Sequence, residues 1–104
     1  MPAYVIVDAE VWDTERALDY RALAEPSIQL YGGRYLVQGA VPEVAEGAAW
    51  PSSRVATVVE FPDMGRLKEW YASAEYEEAK VARKGAMELR MLFVGGNPGE
   101  GKPE

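Results

Sequence analysis

The sequence predicts a single α+β domain, and three observations carry that expectation. Short β-branched runs of alternating polarity are interleaved with stretches of helical spacing. No segment repeats another. A length of 104 residues, 48% of them hydrophobic, is enough for one core and too short for two. Read along the chain, the order is strand, helix, strand, strand, helix, strand. That is the split β-α-β unit of a ferredoxin-like fold, a four-stranded antiparallel sheet with its helices on one face. The domain is expected over residues 1–95, with 96–104 as a flexible C-terminal tail rich in glycine and proline.

The first strand is Tyr4 to Val11, whose odd positions are apolar while Asp8 and Glu10 lie on the even side. Asp13 then caps a helix in which Ala17, Tyr20, Ala24, Ile28 and Tyr31 recur at steps of three and four, the spacing of one buried face. Pro26 is expected to interrupt and kink that helix, because proline removes a backbone donor. Gly32-Gly33 ends it and turns the chain into a second strand, Arg34 to Gln38. Residues 42–53 read as a connection with a short strand near Val44, anchored by Trp50. Arg54 to Phe61 forms the third strand, and Pro62-Asp63 stops it and caps a helix carrying Leu67, Trp70 and Tyr71. Ser73 caps a further helical piece with Tyr76, Ala79, Lys80 and Arg83, ending near Gly85 before a fourth strand, Glu88 to Val94.

Turning the most apolar side of each strand toward the helices leaves a second face uncovered. It holds Tyr4, Ile6, Asp8 and Glu10; Arg34, Leu36 and Gln38; and Ala56, Val58 and Glu60; strand four is ambiguous, its better inward set of Leu89, Met91 and Phe93 leaving Glu88, Arg90, Leu92 and Val94 outside. Such a face is too apolar for open water and too charged for a dry core. A homodimer interface fits it. A domain of this size buries only about two-thirds of its unfolded surface, so a second copy adds useful burial. Two partly wet sheets enclose space where carboxylates and guanidinium groups meet at restricted hydration and small ligands lodge.

Composition narrows the chemistry. The 17 acidic and 11 basic residues give a net charge of −6, with the basic ones scattered, which argues against nucleic acid and anionic membranes as partners. The chain has no cysteine and no histidine. Thiolate nucleophiles, disulfides and serine–histidine arrangements are therefore excluded, and the commonest metal ligands are missing. A haem would lack its usual axial ligands, and no nucleotide fingerprint is present, so no cofactor is expected. The N-terminus leads straight into a strand with no signal-peptide pattern, and the expected location is the cytoplasm.

Three segments have a family likeness. Tyr31-Gly32-Gly33-Arg34-Tyr35-Leu36-Val37, the strand end Glu60-Phe61-Pro62, and Trp70-Tyr71-Ala72-Ser73-Ala74-Glu75-Tyr76 running on to Lys80 and Arg83 resemble, in order and spacing, domain of unknown function 1330 (DUF1330). The resemblance implies a ferredoxin-like protomer of the dimeric α/β-barrel superfamily. That superfamily includes cofactor-free monooxygenases, muconolactone isomerases and dye-decolourising haem enzymes, while the family itself has no settled activity. Two positions depart from the family pattern. Gln38 stands where Arg is frequent, which bears on ligand charge, and Ala74 replaces the usual Pro after the capping Ser, which loosens a helix start.

The candidate site follows from these readings. Arg34 either holds a ligand carboxylate with its forked donors or forms an ion pair. Glu60 is either a proton acceptor or half of an ion pair with Arg34 or Arg90. Trp70, Tyr71 and Tyr76 either line a pocket or fill the core, with Gln38 and Arg90 as further ligand contacts. Ser73 reads as a helix cap rather than a nucleophile, Gly32-Gly33 as a turn, and Arg83 as solvated or bound to a helix-end carbonyl. The functional expectation is a homodimer that binds or transforms a small anionic or carbonyl metabolite in a chamber beside the sheet. Arg34 would orient the ligand and Glu60 accept a proton, without a cofactor. The competing expectation is a non-catalytic module whose charges only stabilise the dimer.

Overall fold

The computed structural model describes residues 1–96; the expected tail lies outside them from Asn97 onward. Seven elements follow one another: β1 (Ala3–Val11), α1 (Thr14–Leu30), β2 (Arg34–Ala40), β3 (Arg54–Phe61), α2 (Met64–Tyr71), α3 (Ala74–Ala82) and β4 (Met87–Gly95). The strands form one antiparallel sheet in the order β2-β3-β1-β4. This is the ferredoxin-like arrangement, with the second helical region divided in two at Ser73. The Ser73 hydroxyl accepts from the Tyr76 amide at 3.1 Å and donates to the Trp70 carbonyl at 2.6 Å, so one side chain closes α2 and opens α3. Asp13 and Asp63 cap α1 and α2 in the same way.

The core lies between the helices and the odd side of β1. Ala3 and Val5 meet Ala24 and Ile28 from α1, Val59 and Phe61 from β3, and Leu67, Trp70, Tyr76 and Ala79 from the other helices. The α1 face expected from periodicity is the one that packs. Gly33 is required by proximity, since a Cβ there would come within 2.7 Å of both Ile28 and Phe61. Gly32 supplies the positive φ of 84° that ends α1, which makes the glycine pair a structural turn.

Three local expectations are corrected. The α1 helix runs through Pro26 without a break. The ring is on the exposed side, where the Ala22 carbonyl that loses its donor can meet water. No strand forms near Val44; the chain there bends without pairing, and Trp50 secures the connection by donating to the Arg54 carbonyl at 2.8 Å. Strand β2 is not regular. Tyr35 pairs with Val59 but Val37 with Val58, and a second shift precedes Ala40, near Gly39 with its positive φ of 61°. The first shift puts Val37 opposite an outward residue and turns Gln38 to the helix side, reversing its expected direction.

Candidate functional site

The two faces of the sheet hold different chemistry. On the helix side, a cleft of about 270 Å³ opens between α1 and the strands. Val5, Val7 and Ala9 form its floor, with Val55, Val59, Leu89 and Met91 beside them. Polar groups are few. Tyr20 and Arg21 come from α1, Tyr35 and Gln38 from β2, and Thr57 from β3, whose hydroxyl accepts from the Gly39 amide at 2.9 Å. An apolar cavity with a few convergent polar groups is the usual form of a small-molecule site.

The phenols of this side are connected. Tyr20 Oη lies 2.8 Å from Tyr76 Oη, and Arg83 Nη1 donates to Tyr76 Oη at 2.6 Å. The Arg83 guanidinium also lies 5.6 Å from the centre of the Tyr20 ring. Arg83 is half-buried, and a phenol rather than a helix-end carbonyl holds its guanidinium; its seven-residue separation from Tyr76 brings it back to the same side of α3. Burial pushes Tyr35 up to about 12, with Tyr20 and Glu25 adding to the shift and Arg21 opposing it. Burial likewise raises Tyr76, with Tyr20 reinforcing and Arg83 opposing the rise. Both phenols stay protonated at neutral pH and serve as hydrogen-bond donors, not as bases.

On the open face, Asp8 is the centre of an ion-pair network. Arg54 Nε donates to its Oδ1 at 2.5 Å, and Arg90 Nη2 to its Oδ2 at 2.9 Å. Arg54 continues to Glu88 at 2.7 Å, and a separate pair joins Arg34 Nε to Glu60 Oε1 at 2.8 Å. Exposed Leu36, Val37, Leu92 and Val94 lie around these charges. The hydrogen bonds from Arg54, then Arg90, hold the Asp8 carboxyl below its ordinary value of 3.8, with burial acting the other way. A carboxyl depressed on folding stabilises the fold above its unfolded value and loses that contribution as pH falls through the lower folded value. Asp8→Asn should therefore cost stability at pH 6, and the gap from the parent should shrink below about pH 4. Urea midpoints at both pH values check this; a gap independent of pH would remove the ionic account.

The structure divides the sequence-derived candidates between the faces. Gln38 and Trp70 line the cleft. Tyr76 is buried behind it, joined through Tyr20. Tyr71 packs against Phe93 with ring centres 5.3 Å apart and carries Lys80 Nζ 3.9 Å from its ring centre, away from the cleft lining. Arg34, Glu60 and Arg90 are on the open face, where Arg34 pairs with Glu60 and Arg90 with Asp8. The sheet thus separates Arg34 and Glu60 from the cleft. Sequence reasoning passed over Tyr20 and Tyr35 as site residues and over Arg54 as the partner of Asp8. One signal was available: Tyr20 is a phenol in a helix face otherwise made of alanine and isoleucine through Ile28. Arg54 carried none, because its pairing depends on strand register.

The fold and its two unlike faces define a ferredoxin-like α+β domain with one open side of its sheet. The profile of the family described as domain of unknown function (DUF1330) matches residues 2–97, and the chain belongs to that family. Solved structures agree on the fold. A protein of unknown function from Rhodopseudomonas palustris is similar at 17% identity and a TM-score of 0.71, over 94% of this chain and 84% of that one. SnoaB, a cofactor-independent oxygenase from Streptomyces nogalater, is similar at 8% identity and a TM-score of 0.68, over 97% and 98%. A dimeric ferredoxin-like protein of unknown function from Jannaschia sp. CCS1 follows at 10% and 0.65, over 90% and 98%. No curated protein matches the chain.

Among the described residues no helix is long and apolar enough to cross a membrane.

Proposed function

We propose that this protein is a homodimer that binds a small, mostly apolar carbonyl compound in the cleft between α1 and the sheet. The observation that carries the reading is the cleft itself: an apolar floor with neutral phenol, amide and hydroxyl groups around it. Neutral donors favour an acceptor oxygen over a full negative charge, although Arg21 among the lining residues also accommodates an anionic form. Any turnover there would start from polarisation of the carbonyl oxygen by these donors, without a cofactor. The likeness to an oxygenase supports the fold and leaves that reaction open.

The open face supports the dimer, as do neighbours described as dimeric. In an isolated protomer the Arg34–Glu60 pair adds little, because the Arg34 side chain is 72% exposed. Covered by a second sheet, the same pair and the Asp8 network fix the register of two copies. This assigns Arg34, Glu60 and Arg90 to assembly and leaves ligand binding to Gln38, Trp70 and the phenols.

Filling the cleft tests the assignment. Ala17 lines it from α1, and Ala17→Phe should occupy the ligand's space. In a thermal-shift screen of small ketones, lactones and phenols, a ligand at a hundredfold its Kd should stabilise the parent by about 2.7 kcal/mol. The folded Ala17→Phe variant should show no shift. Equal shifts in both proteins would place the ligand elsewhere, and no shift across the panel would count against a ligand of this class.

A further inference from the structure

We infer that Tyr20 is the hydrogen-bond donor that selects ligands with an acceptor oxygen, and that Tyr76 and Arg83 fix the direction in which its proton points. The inference rests on the reading of the cleft as a ligand site and names the group that discriminates among ligands there. It follows from counting protons in a part-buried chain of three groups.

Tyr76 is fully buried, so its hydroxyl proton requires an acceptor within the protein. Among the described residues its oxygen has two hydrogen-bond partners, Arg83 Nη1 and Tyr20 Oη. A guanidinium can only donate. The Tyr76 proton must therefore go to Tyr20, while the Tyr76 oxygen accepts from Arg83. The reverse arrangement, with Tyr20 donating to Tyr76, leaves a buried proton without an acceptor, which costs more than an ordinary hydrogen bond contributes. With its oxygen engaged as an acceptor, Tyr20 keeps its own proton free, and Tyr20 lines the cleft.

The chain runs from Arg83 through Tyr76 to Tyr20, each bond polarising the next, so the terminal O–H is a stronger donor than a lone phenol. A ligand with a carbonyl or other acceptor oxygen completes the chain; an apolar ligand of the same shape leaves the proton unpaired. Tyr20 is the group that touches the ligand, and Tyr76 and Arg83 are positioning residues.

Acetophenone and its isostere α-methylstyrene, which replaces the carbonyl oxygen by a methylene, provide the test. Calorimetric titration of the parent should give acetophenone roughly a fivefold to tenfold advantage over α-methylstyrene, the size of one net hydrogen bond. Tyr20→Phe should abolish that advantage while still binding α-methylstyrene, which also reports that its cleft is intact. The infrared carbonyl stretch of bound acetophenone should move to lower frequency in the parent and return toward the unbonded value in Tyr20→Phe. Arg83→Met, which leaves the cleft lining unchanged, should give an intermediate stretch, an effect that a purely structural role would not produce. Equal binding of both compounds by the parent, or an unshifted carbonyl, overturns the proposal and leaves the cleft reading standing. Binding of neither compound overturns the cleft reading and this proposal with it.

Discussion

Trp70→Ala is expected to cost about 3–5 kcal/mol of folding stability and to lower the melting temperature by roughly 12 °C or more. Trp70 is 1% exposed, and its ring centre lies 4.2 Å from Tyr76 and 5.2 Å from Phe61. Its indole N–H donates at 3.0 Å to Ser27, a buried hydroxyl that itself donates to the Ala24 carbonyl. Truncation removes the largest side chain at the meeting point of α1, α2 and α3, and the backbone cannot close the space because α1 is fixed to β3 through Gly33. The loss is mainly a cavity term. Ser27 forfeits an incoming bond but keeps its own acceptor, so no buried donor is left unpaired. Against a total stability of about 5–15 kcal/mol, such a change brings a domain of this size close to unfolding. Trp70→Phe keeps the ring contacts and should lose well under half as much. Thermal and urea denaturation of the three proteins decide the matter; a loss below about 1 kcal/mol for alanine would show that the aromatic cluster is not the centre of the core.

The same residue shows what a sequence does and does not disclose. Trp70 follows Leu67 by three positions on a helix whose Arg66, Lys68 and Glu69 are charged, so its burial was legible from spacing. The α1 face was legible for the same reason, because it depends on a period that one chain segment carries by itself; the facing of β4 was not, because Leu92 and Val94 make its outer side nearly as apolar as the inner side of Leu89, Met91 and Phe93. Gln38 was misdirected because the irregularities of β2 break that period. The shift that turns Gln38 lies between Tyr35 and Val37, where no glycine or proline marks it. Arg83, Tyr76 and Tyr20 combine one short separation with one of 56 residues, and only the packing of α3 against α1 brings the third group in. Arg34 and Glu60 were visible as a pair. Which face of the sheet holds the cleft is a property of the folded layers and has no local signature.

That division of faces leads to the other large expected effect. In the proposed dimer, Leu92→Asp should raise the dissociation constant by a factor of 100 or more while leaving the single chain folded. Leu92 lies opposite Ile6, which is flanked on its other side by Val58, so the three form a cross-strand apolar row on the open face. At 47% exposure in the protomer, an aspartate at this position can remain hydrated when the chain is alone. In a dimer it would be taken out of water, and among the described residues the arginines of the open face are already paired, Arg90 with Asp8, Arg54 with Asp8 and Glu88, and Arg34 with Glu60. An unpaired charge removed from water costs several kcal/mol, which exceeds what a row of aliphatic contacts returns. Sedimentation velocity across a dilution series measures the change, with circular dichroism to confirm that the protomer is folded. Because Leu92 points away from the cleft, a ligand that stabilises the parent should still bind the monomeric variant. A variant that stays dimeric at every concentration would show that the open sheet is not the interface. A monomer that loses ligand binding would show that assembly shapes the cleft, and would tie the two faces together through the β1–β4 pair they share.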